Sequence, residues 1–218
     1  MRQPAYDAEV NIVGMLNVLE SARAVGTRKI IYASSGGTIY GHVDTSHPTT
    51  EGQHMTHPSS AYGISKLTAE FYLALYQTTY GIAWTALRYP NVFGPRQDGT
   101  AEAGVIARFI HRLLRGERST SYGDGSQTRD YTFVDDVVRA NLLAIERGDN
   151  MAINIGTGQP KSVREVYDAV ESAINSGLQP IYVDERPGDA KRVWMDISLA
   201  ERALGWKSEI AFTGGVRR

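Results

Sequence analysis

The sequence predicts an α/β protein built on a doubly wound parallel sheet, because amphipathic helices alternate along it with short apolar strands. Residues 6–25 carry apolar side chains at helical spacing and stop at Gly26, and a strand over 29–33 follows at once. The order recurs where a helix over 61–80 precedes a strand over 84–88. A sheet covered by helices on both faces requires alternation of this kind.

The second half of the chain continues the alternation with shorter elements. Ser162 and Glu165 form a capping box, which begins a helix with one apolar face. Glycines mark the ends of the other predicted helices. The remaining predicted elements are helices over 103–115, 135–147 and 198–204 and a strand over 152–155.

The composition of the 218 residues is that of an ordinary globular protein, with 42% hydrophobic and 22% charged residues. A net charge of -1 argues against nucleic-acid and anionic-membrane partners. The absence of cysteine excludes disulfides, thiol nucleophiles and thiolate metal sites. No apolar run is long enough to span a bilayer, and no signal peptide begins at Met1. We therefore expect a cytoplasmic protein.

The pair Tyr62 and Lys66 stands four residues apart near the start of the 61–80 helix, so both side chains lie on one helix face. A tyrosine that acts as a base near pH 7 needs its pKa lowered by roughly three units, or about 4 kcal/mol. A nearby ammonium group and the positive end of the helix both favour the phenolate. A tyrosine and a lysine that merely share a helix surface remain the alternative.

Two further segments flank this pair and give it a context. Residues 30–41 read IIYASSGGTIYG, an apolar strand that opens into a hydroxyl- and glycine-rich turn, and residues 87–96 read LRYPNVFGPR. In this order the three segments resemble the extended short-chain dehydrogenase/reductase family, in particular its NAD-dependent nucleotide-sugar epimerases and dehydratases. The resemblance covers nearly the whole chain.

The resemblance implies a Rossmann-like NAD-binding domain, with its remainder in residues 1–92 and 131–160. It also implies a smaller α/β domain for the nucleotide sugar, in residues 93–130 and 161–218. The family places a glycine-rich turn under the dinucleotide pyrophosphate, and this sequence contains no such turn after a strand. We therefore expect the chain to be the C-terminal two-thirds of an enzyme.

By resemblance, Tyr62 removes a proton from a sugar hydroxyl while hydride passes to NAD+. Lys66 lowers the pKa of the tyrosine and bonds the nicotinamide ribose. Tyr89 and Pro90 flank the nicotinamide, and Ser34 belongs to the same cofactor site. NAD is accordingly the cofactor that the resemblance implies.

The residues implied for the UDP-sugar come from several loops. Asn91 matches an asparagine that bonds the diphosphate, with a plain turn residue as the alternative. Arg129 matches a diphosphate-binding arginine, with an ion pair to a neighbouring aspartate, Asp130 or Asp135, as the alternative. The family's uridine- and phosphate-contacting pair matches Arg186 and Asp189, and Val193 matches a position whose smaller side chains leave room for an N-acetyl group.

One departure from the family concerns the hydroxyl that completes the catalytic set. The usual serine or threonine position is Gly36 in this chain, so Thr38, with Ser35 behind it, is the predicted substitute at the catalytic and substrate site. Dehydratases of the family carry Asp-Glu where this chain has Gly37 and Thr38. Elimination then lacks its proton donor, which leaves 4-epimerisation of UDP-glucose and UDP-galactose or their N-acetyl forms.

Three further expectations concern activity, metal binding and assembly. The chain is an epimerase or, as the alternative, an inactive fragment or a nucleotide-sugar-binding module that lacks the NAD phosphate-binding loop. The loop over 42–60 holds four histidines, but their spacing suits no known metal-binding helix, and we expect a solvated loop and no metal. The family dimerises through the helices that correspond to 6–25 and 61–80, so a homodimer is expected.

Overall fold

The computed structural model describes residues 3–41, 47–52, 56–100, 104–185 and 191–218. Within these ranges the chain is an alternation of helices and short strands, as the sequence predicts. In chain order the elements are α1 (Pro4–Ala8), a π-helical stretch (Glu9–Val13), α2 (Gly14–Ala24), β1 (Lys29–Ser35), α3 (Gly36–Ile39), α4 (Ala61–Tyr80), β2 (Ala83–Tyr89), β3 (Asn91–Phe93), α5 (Val105–Leu114), β4 (Thr120–Tyr122), β5 (Thr128–Arg129), β6 (Tyr131–Phe133), α6 (Val134–Ala144), β7 (Met151–Asn154), β8 (Lys161–Ser162), α7 (Val163–Ile174), β9 (Ile181–Val183), β10 (Arg192–Val193), α8 (Ser198–Leu204) and α9 (Phe212–Val216).

The predicted parallel sheet is confirmed, with the order β1-β2-β7 and all three strands parallel. Alternate residues of β2 point to opposite faces, which gives the sheet two separate apolar layers. Trp84 and Ala86 pack against Leu73 of α4 on one face. Leu87 packs against Ala140 of α6 on the other face. Both faces of the sheet are thus covered by helices.

The shorter strands pair into three small sheets beyond the central one. β3 pairs with β6 and β4 with β9, both in parallel, and β5 lies between β10 and β8. Their core contains Phe93, Phe109 and Phe133, with Val166 and Tyr167 of α7 packed among them. The division of the chain into an NAD-binding domain and a smaller nucleotide-sugar domain stays a prediction.

Helix boundaries differ from the prediction where the sequence has no strong capping signal. The first helix begins at Pro4 rather than at residue 6, because proline is well suited to the first turn of a helix. The predicted helix over 135–147 ends at Ala144, after which the chain continues in turns bonded three residues back. By contrast, Gly81 ends α4 in a left-handed conformation, with φ of 72°, and the capping box of Ser162 and Glu165 forms.

A buried ion pair joins α4 to the central strand. Both side chains, Glu70 and Arg88, are almost fully buried, and the guanidinium donates to the carboxylate through Nε at 3.0 Å and NH2 at 2.6 Å. The hydroxyl of Ser34 in β1 donates to the same carboxylate at 2.5 Å. Arg88 also donates to the Tyr40 hydroxyl, which in turn donates to Asn154. One network therefore connects β1, β2, β7, α3 and α4.

We predict that Glu70→Gln destabilises the protein by about 3–5 kcal/mol, because it leaves the buried Arg88 charge without its partner. Urea denaturation measures the change. Glu117→Gln is the matched control, since Glu117 pairs with Arg115 on an exposed surface, and it should leave the unfolding midpoint unchanged. Equal midpoints for Glu70→Gln and the parent would contradict the assigned role of the pair.

Candidate active site

The predicted pair at the start of α4 comes together in the structure. Ser60 caps the helix by accepting the Gly63 N–H at 3.0 Å, which places Tyr62 in the first turn and Lys66 one turn later. The Lys66 ammonium lies 5.5 Å from the centroid of the Tyr62 ring and donates to the Ala33 carbonyl at 3.0 Å. The phenol is 42% exposed, so it opens onto solvent.

A relay of hydroxyl groups reaches the phenol from β1 and α3. The Thr38 hydroxyl donates to the Ser35 hydroxyl at 2.9 Å, and the Ser35 hydroxyl hydrogen-bonds the phenol of Tyr62. Ser35 is therefore the hydroxyl that contacts the phenol, with Thr38 behind it. The sequence analysis places Thr38 in front and Ser35 behind it, because loop spacing alone does not show which hydroxyl points at the helix.

Gly36, the family's usual serine or threonine position, has no room for a side chain. A Cβ atom there would lie 2.1 Å from the Met195 sulfur and 3.3 Å from the Arg88 carbonyl oxygen. Met195 is itself almost fully buried, so it cannot move into solvent. The position of Met195 explains why the hydroxyl group comes from Ser35.

In this structure the pKa of Tyr62 lies above its ordinary value, and the lowering that catalysis needs stays a prediction. Burial raises the pKa of Tyr62, the hydrogen bond from Ser35 lowers it in part, and the charge of Asp7 raises it. Burial lowers the pKa of Lys66, against the opposing effect of Asp7. Desolvation of the half-buried phenol thus outweighs the hydrogen bond with Ser35.

Asp7 is a group at this site that the sequence did not single out. Its carboxylate accepts the Ser65 hydroxyl at 2.7 Å, which holds α1 against the first turns of α4. Tyr32 of β1 is a second such group, since the Lys66 ammonium lies 4.9 Å from its ring centroid. From the sequence alone, Asp7 is an acidic residue near the start of a helix, where such residues are common.

The other residues expected at the cofactor site are less exposed to solvent than Tyr62. Ser34 is almost fully buried, and its hydroxyl is committed to Glu70. Tyr89 ends β2, and its hydroxyl hydrogen-bonds the Asn141 side chain. Burial raises the pKa of Tyr89. Pro90 follows it and is half-buried, so this end of β2 offers apolar surface near the carboxyl end of the sheet.

A separate cavity of about 370 Å³ collects two of the residues expected to bind the substrate, Asn91 and Arg129. Two more arginines, Arg108 and Arg112 of α5, line the same cavity, and no carboxylate does so in the described part of the chain. The polar residues of the lining include Asn91, Arg108, Arg112, Ser119, Ser121 and Arg129.

The cavity wall contains buried polar groups that lack a partner among the described residues. The hydroxyls of Ser119 and Ser121 are both buried and make no hydrogen bond there. Arg129 donates one N–H to the Thr128 carbonyl at 2.8 Å. Buried polar groups are normally paired, so these two hydroxyls are available to bond a polar group or a water molecule at the cavity wall.

Arg129 forms no ion pair with Asp130 or Asp135. Asp130 accepts from the N–H groups of Thr157, at 2.9 Å, and Gly158, at 3.0 Å, and Asp135 contacts Arg218. Burial raises the pKa of Asp130, although these hydrogen bonds oppose the shift. The turn Gly156-Thr157-Gly158 is thus a structural turn, because the Thr157 and Gly158 amide groups are already bonded to Asp130.

The remaining expected site residues fall into two groups. Val193 lies in β10, half-buried and in register with Arg129 of β5. Arg186, Asp189 and two of the loop histidines, His42 and His54, lie outside the described residues. Among the residues that are described, no cluster of three histidine or carboxylate side chains suits a metal ion. No described helix has the length and apolarity needed to cross a membrane.

Comparison with known proteins identifies relatives over the whole chain. The model of the GDP-mannose 4,6 dehydratase family matches residues 1–218. The chain is 42% identical to a putative UDP-glucose 4-epimerase of Methanocaldococcus jannaschii, over 100% of this chain and 70% of the relative. It is 39% identical to a UDP-glucose 4-epimerase of Mycolicibacterium smegmatis, over 99% of this chain and 68% of the relative.

Solved structures agree with these relatives. A UDP-glucose 4-epimerase of Thermotoga maritima with UDP-glucose superposes with a TM-score of 0.96 at 44% identity, over 99% of this chain and 70% of that one. A Thermus thermophilus UDP-glucose 4-epimerase complex with NAD gives a TM-score of 0.88 at 40% identity, over 98% of this chain and 70% of that one. The relatives are thus longer than the chain.

We predict that Gly36→Ser destabilises the protein by about 1–3 kcal/mol, because the added atoms collide with Met195. Urea denaturation of Gly36→Ser, Met195→Ala and the double variant measures the coupling, and the double variant should cost less than the sum of the two. Gly37→Ser is the control, since nothing lies within 4 Å of a Cβ at that position. Additive effects would contradict the steric explanation.

Proposed function

The chain belongs to the GDP-mannose 4,6 dehydratase family, within the extended short-chain dehydrogenase/reductases that its sequence resembles, and from this we propose a UDP-sugar 4-epimerase. The proposed substrates are UDP-glucose and UDP-galactose or their N-acetyl forms. The observation that carries the proposal is the half-exposed Tyr62 phenol, which sits beside Lys66 at the end of the relay from Thr38 and Ser35.

In the proposed reaction, the Tyr62 phenolate accepts the proton of the sugar 4-hydroxyl and later returns it. Ser35 stabilises the phenolate by donating a hydrogen bond to its oxygen, and Thr38 orients Ser35 by donating to it in turn. Because the same phenol takes and returns the proton, one residue serves both halves of an epimerisation. The relay supplies fixed donors that need little rearrangement as charge develops on the phenol.

Epimerisation is preferred over dehydration, although the family model is described by a dehydratase. Expulsion of a hydroxide needs an acid beside the reacting carbon. The turn offers only Gly37 and Thr38 where the resembled dehydratases carry carboxyl groups. The curated relatives that cover the whole chain include UDP-glucose 4-epimerases, which supports the same choice.

NAD is the proposed cofactor, and the residues present fit its nicotinamide end. The Lys66 ammonium has three N–H donors and gives one to the Ala33 carbonyl, so two remain for the ribose hydroxyls. Tyr89 and Pro90 would border the nicotinamide ring. Ser34, which is buried and bonded to Glu70, would hold β1 in place beneath the cofactor site. When bound, NAD+ accepts and returns hydride and brings a positive charge that favours the phenolate.

The nucleotide sugar is proposed to occupy the arginine-lined cavity. Arg129 would bind the diphosphate through its guanidinium fork and Asn91 through its amide. Arg186 and Asp189 are proposed for the nucleotide by resemblance. Val193, beside Arg129 in the sheet, would leave room for an N-acetyl group.

A homodimer is proposed through the surfaces of the first helix and α4. Both present exposed apolar side chains at helical spacing, which water-exposed helices rarely retain without a partner. Sedimentation velocity that shows only monomers would rule the dimer out. The exposed side chains are Tyr6, Val10 and Val13 before α2 and Ile64, Phe71 and Leu75 on α4.

The cytoplasmic location stays a prediction.

A nucleotide-sugar-binding module is the second candidate function, because the arginine-lined cavity is lined by neither Tyr62 nor Lys66. The two candidates differ in what the purified protein carries. An epimerase should release nicotinamide cofactor on denaturation or bind added NAD. A module should bind UDP-sugar alone.

We predict that Tyr62→Phe lowers epimerase kcat by about 10²–10⁴-fold, because the reaction loses its acid and base. Turnover is measured on the NAD-loaded protein, and calorimetry should show unchanged UDP-glucose affinity. Tyr80→Phe, at the far end of the same helix, is the matched control and should keep full activity. Equal turnover in Tyr62→Phe and the parent would refute the assigned role.

The pH profile of kcat/KM provides a test with two opposite signs. The phenolate is the reactive form, so activity falls on the acid side as Tyr62 takes up a proton. Ser35→Ala removes a bond that lowers the Tyr62 pKa and should move the acid limb to higher pH. Asp7→Asn removes a charge that raises it and should move the limb to lower pH. Shifts in the same direction would contradict the assignment.

A further inference from the structure

We infer that Arg108 of α5 is a further phosphate-binding arginine, in addition to the arginines already proposed, so that a nucleoside diphosphate is held between guanidiniums from α5 and β5. The inference rests on the proposed function, because it concerns the same nucleotide cavity. The phosphate is recognised by Arg108 and Arg129 together, and the base and ribose by other groups.

The two arginines share one cavity although they lie on different elements. Arg108 and Arg129 both line the cavity of about 370 Å³, together with Asn91. The Arg108 backbone N–H bonds the Gly104 carbonyl at 3.2 Å, which fixes the residue near the beginning of α5. Since the described lining contains no carboxylate, nothing there neutralises the positive charge that these residues bring.

Arg108 differs from the neighbouring arginines in what its side chain does. Arg112 donates to the Arg118 carbonyl at 3.0 Å, and Arg115 pairs with Glu117 at 3.0 Å. Arg118 donates to the carbonyls of residues 179 and 180. The Arg108 guanidinium makes no hydrogen bond or ion pair with any residue that the structure describes. It is half-buried and keeps its five donors for a ligand.

The charge of the ligand matches this arrangement. The diphosphate of a nucleotide sugar carries two negative charges, and one guanidinium balances only one of them. Arg108 also stands four residues before Arg112 on one face of α5, where two like charges repel each other. An anion beside Arg108 relieves that repulsion. The pair of α5 arginines is therefore unfavourable for the helix alone and favourable for a helix that binds phosphate.

The buried hydroxyls of Ser119 and Ser121 are an independent sign that the cavity takes a polar ligand. Both lack a partner in the described part of the chain, and both line the cavity beside α5. They are neutral donors and acceptors, which suit the ribose or the base rather than the phosphate. Arg108 should consequently affect ligands in proportion to their phosphate charge.

The test is titration calorimetry of the chain with UDP, UMP and uridine at two salt concentrations. Arg108→Gln should weaken UDP binding about tenfold or more, which is the loss of one charge-assisted hydrogen bond. UMP should lose less, uridine should be unaffected, and the salt dependence of UDP binding should become shallower. Arg108→Lys keeps the charge without the fork, and its UDP affinity should fall between the two.

Arg115→Gln is the matched control, because Arg115 directly follows α5 and pairs with the exposed Glu117, and it should bind UDP as the parent does. Thermal melting without ligand should show no loss of stability in Arg108→Gln, since a repulsion is removed. Unchanged UDP affinity in Arg108→Gln, with a loss in Arg129→Gln, would overturn the inference and leave the proposed function standing. An equal loss for uridine and UDP would also overturn it. A parent chain that binds no UDP would remove both.

Discussion

The ion pair between Arg88 and Glu70 is the interaction on which the rest of the structure depends. It lies in the interior, where an unpaired charge is costly, and its carboxylate also accepts from Ser34 of β1. Since Glu70 is on α4 and Arg88 is on β2, the pair sets the height of the helix against the sheet. Packing of apolar side chains alone would allow α4 to slide by small amounts.

The position of α4 decides whether the catalytic groups meet. Lys66 and Tyr62 stand one and two turns before Glu70 on the same helix, so a pair that anchors Glu70 also places them over the end of β1. There the Ala33 carbonyl accepts a hydrogen bond from the Lys66 ammonium, and the Ser35 hydroxyl hydrogen-bonds the Tyr62 phenol. The network around Arg88 thus connects a buried charge to the groups that we propose for proton transfer.

Local spacing allowed some of this to be predicted and not the rest. The approach of Tyr62 and Lys66 follows from helical periodicity, and the ends of α4 and α7 follow from Gly81 and the Ser162 capping box. The choice of Ser35 over Gly36 depends on Met195, which is far away in sequence. The direction of the Tyr62 pKa depends on burial, and Asp7 and Arg108 reach their sites through tertiary contacts. Such effects have no signature in a local pattern.

The turn at Thr157 and Gly158 carries an anion of its own. Asp130 sits on the backbone amides in the way that a bound phosphate would. Because that carboxylate is tethered to the chain, its effective concentration at the turn far exceeds that of free phosphates in solution. The Asp130 carboxylate therefore occupies this turn in place of a free anion. A phosphate group would have to bind to arginines or amide groups elsewhere in the protein.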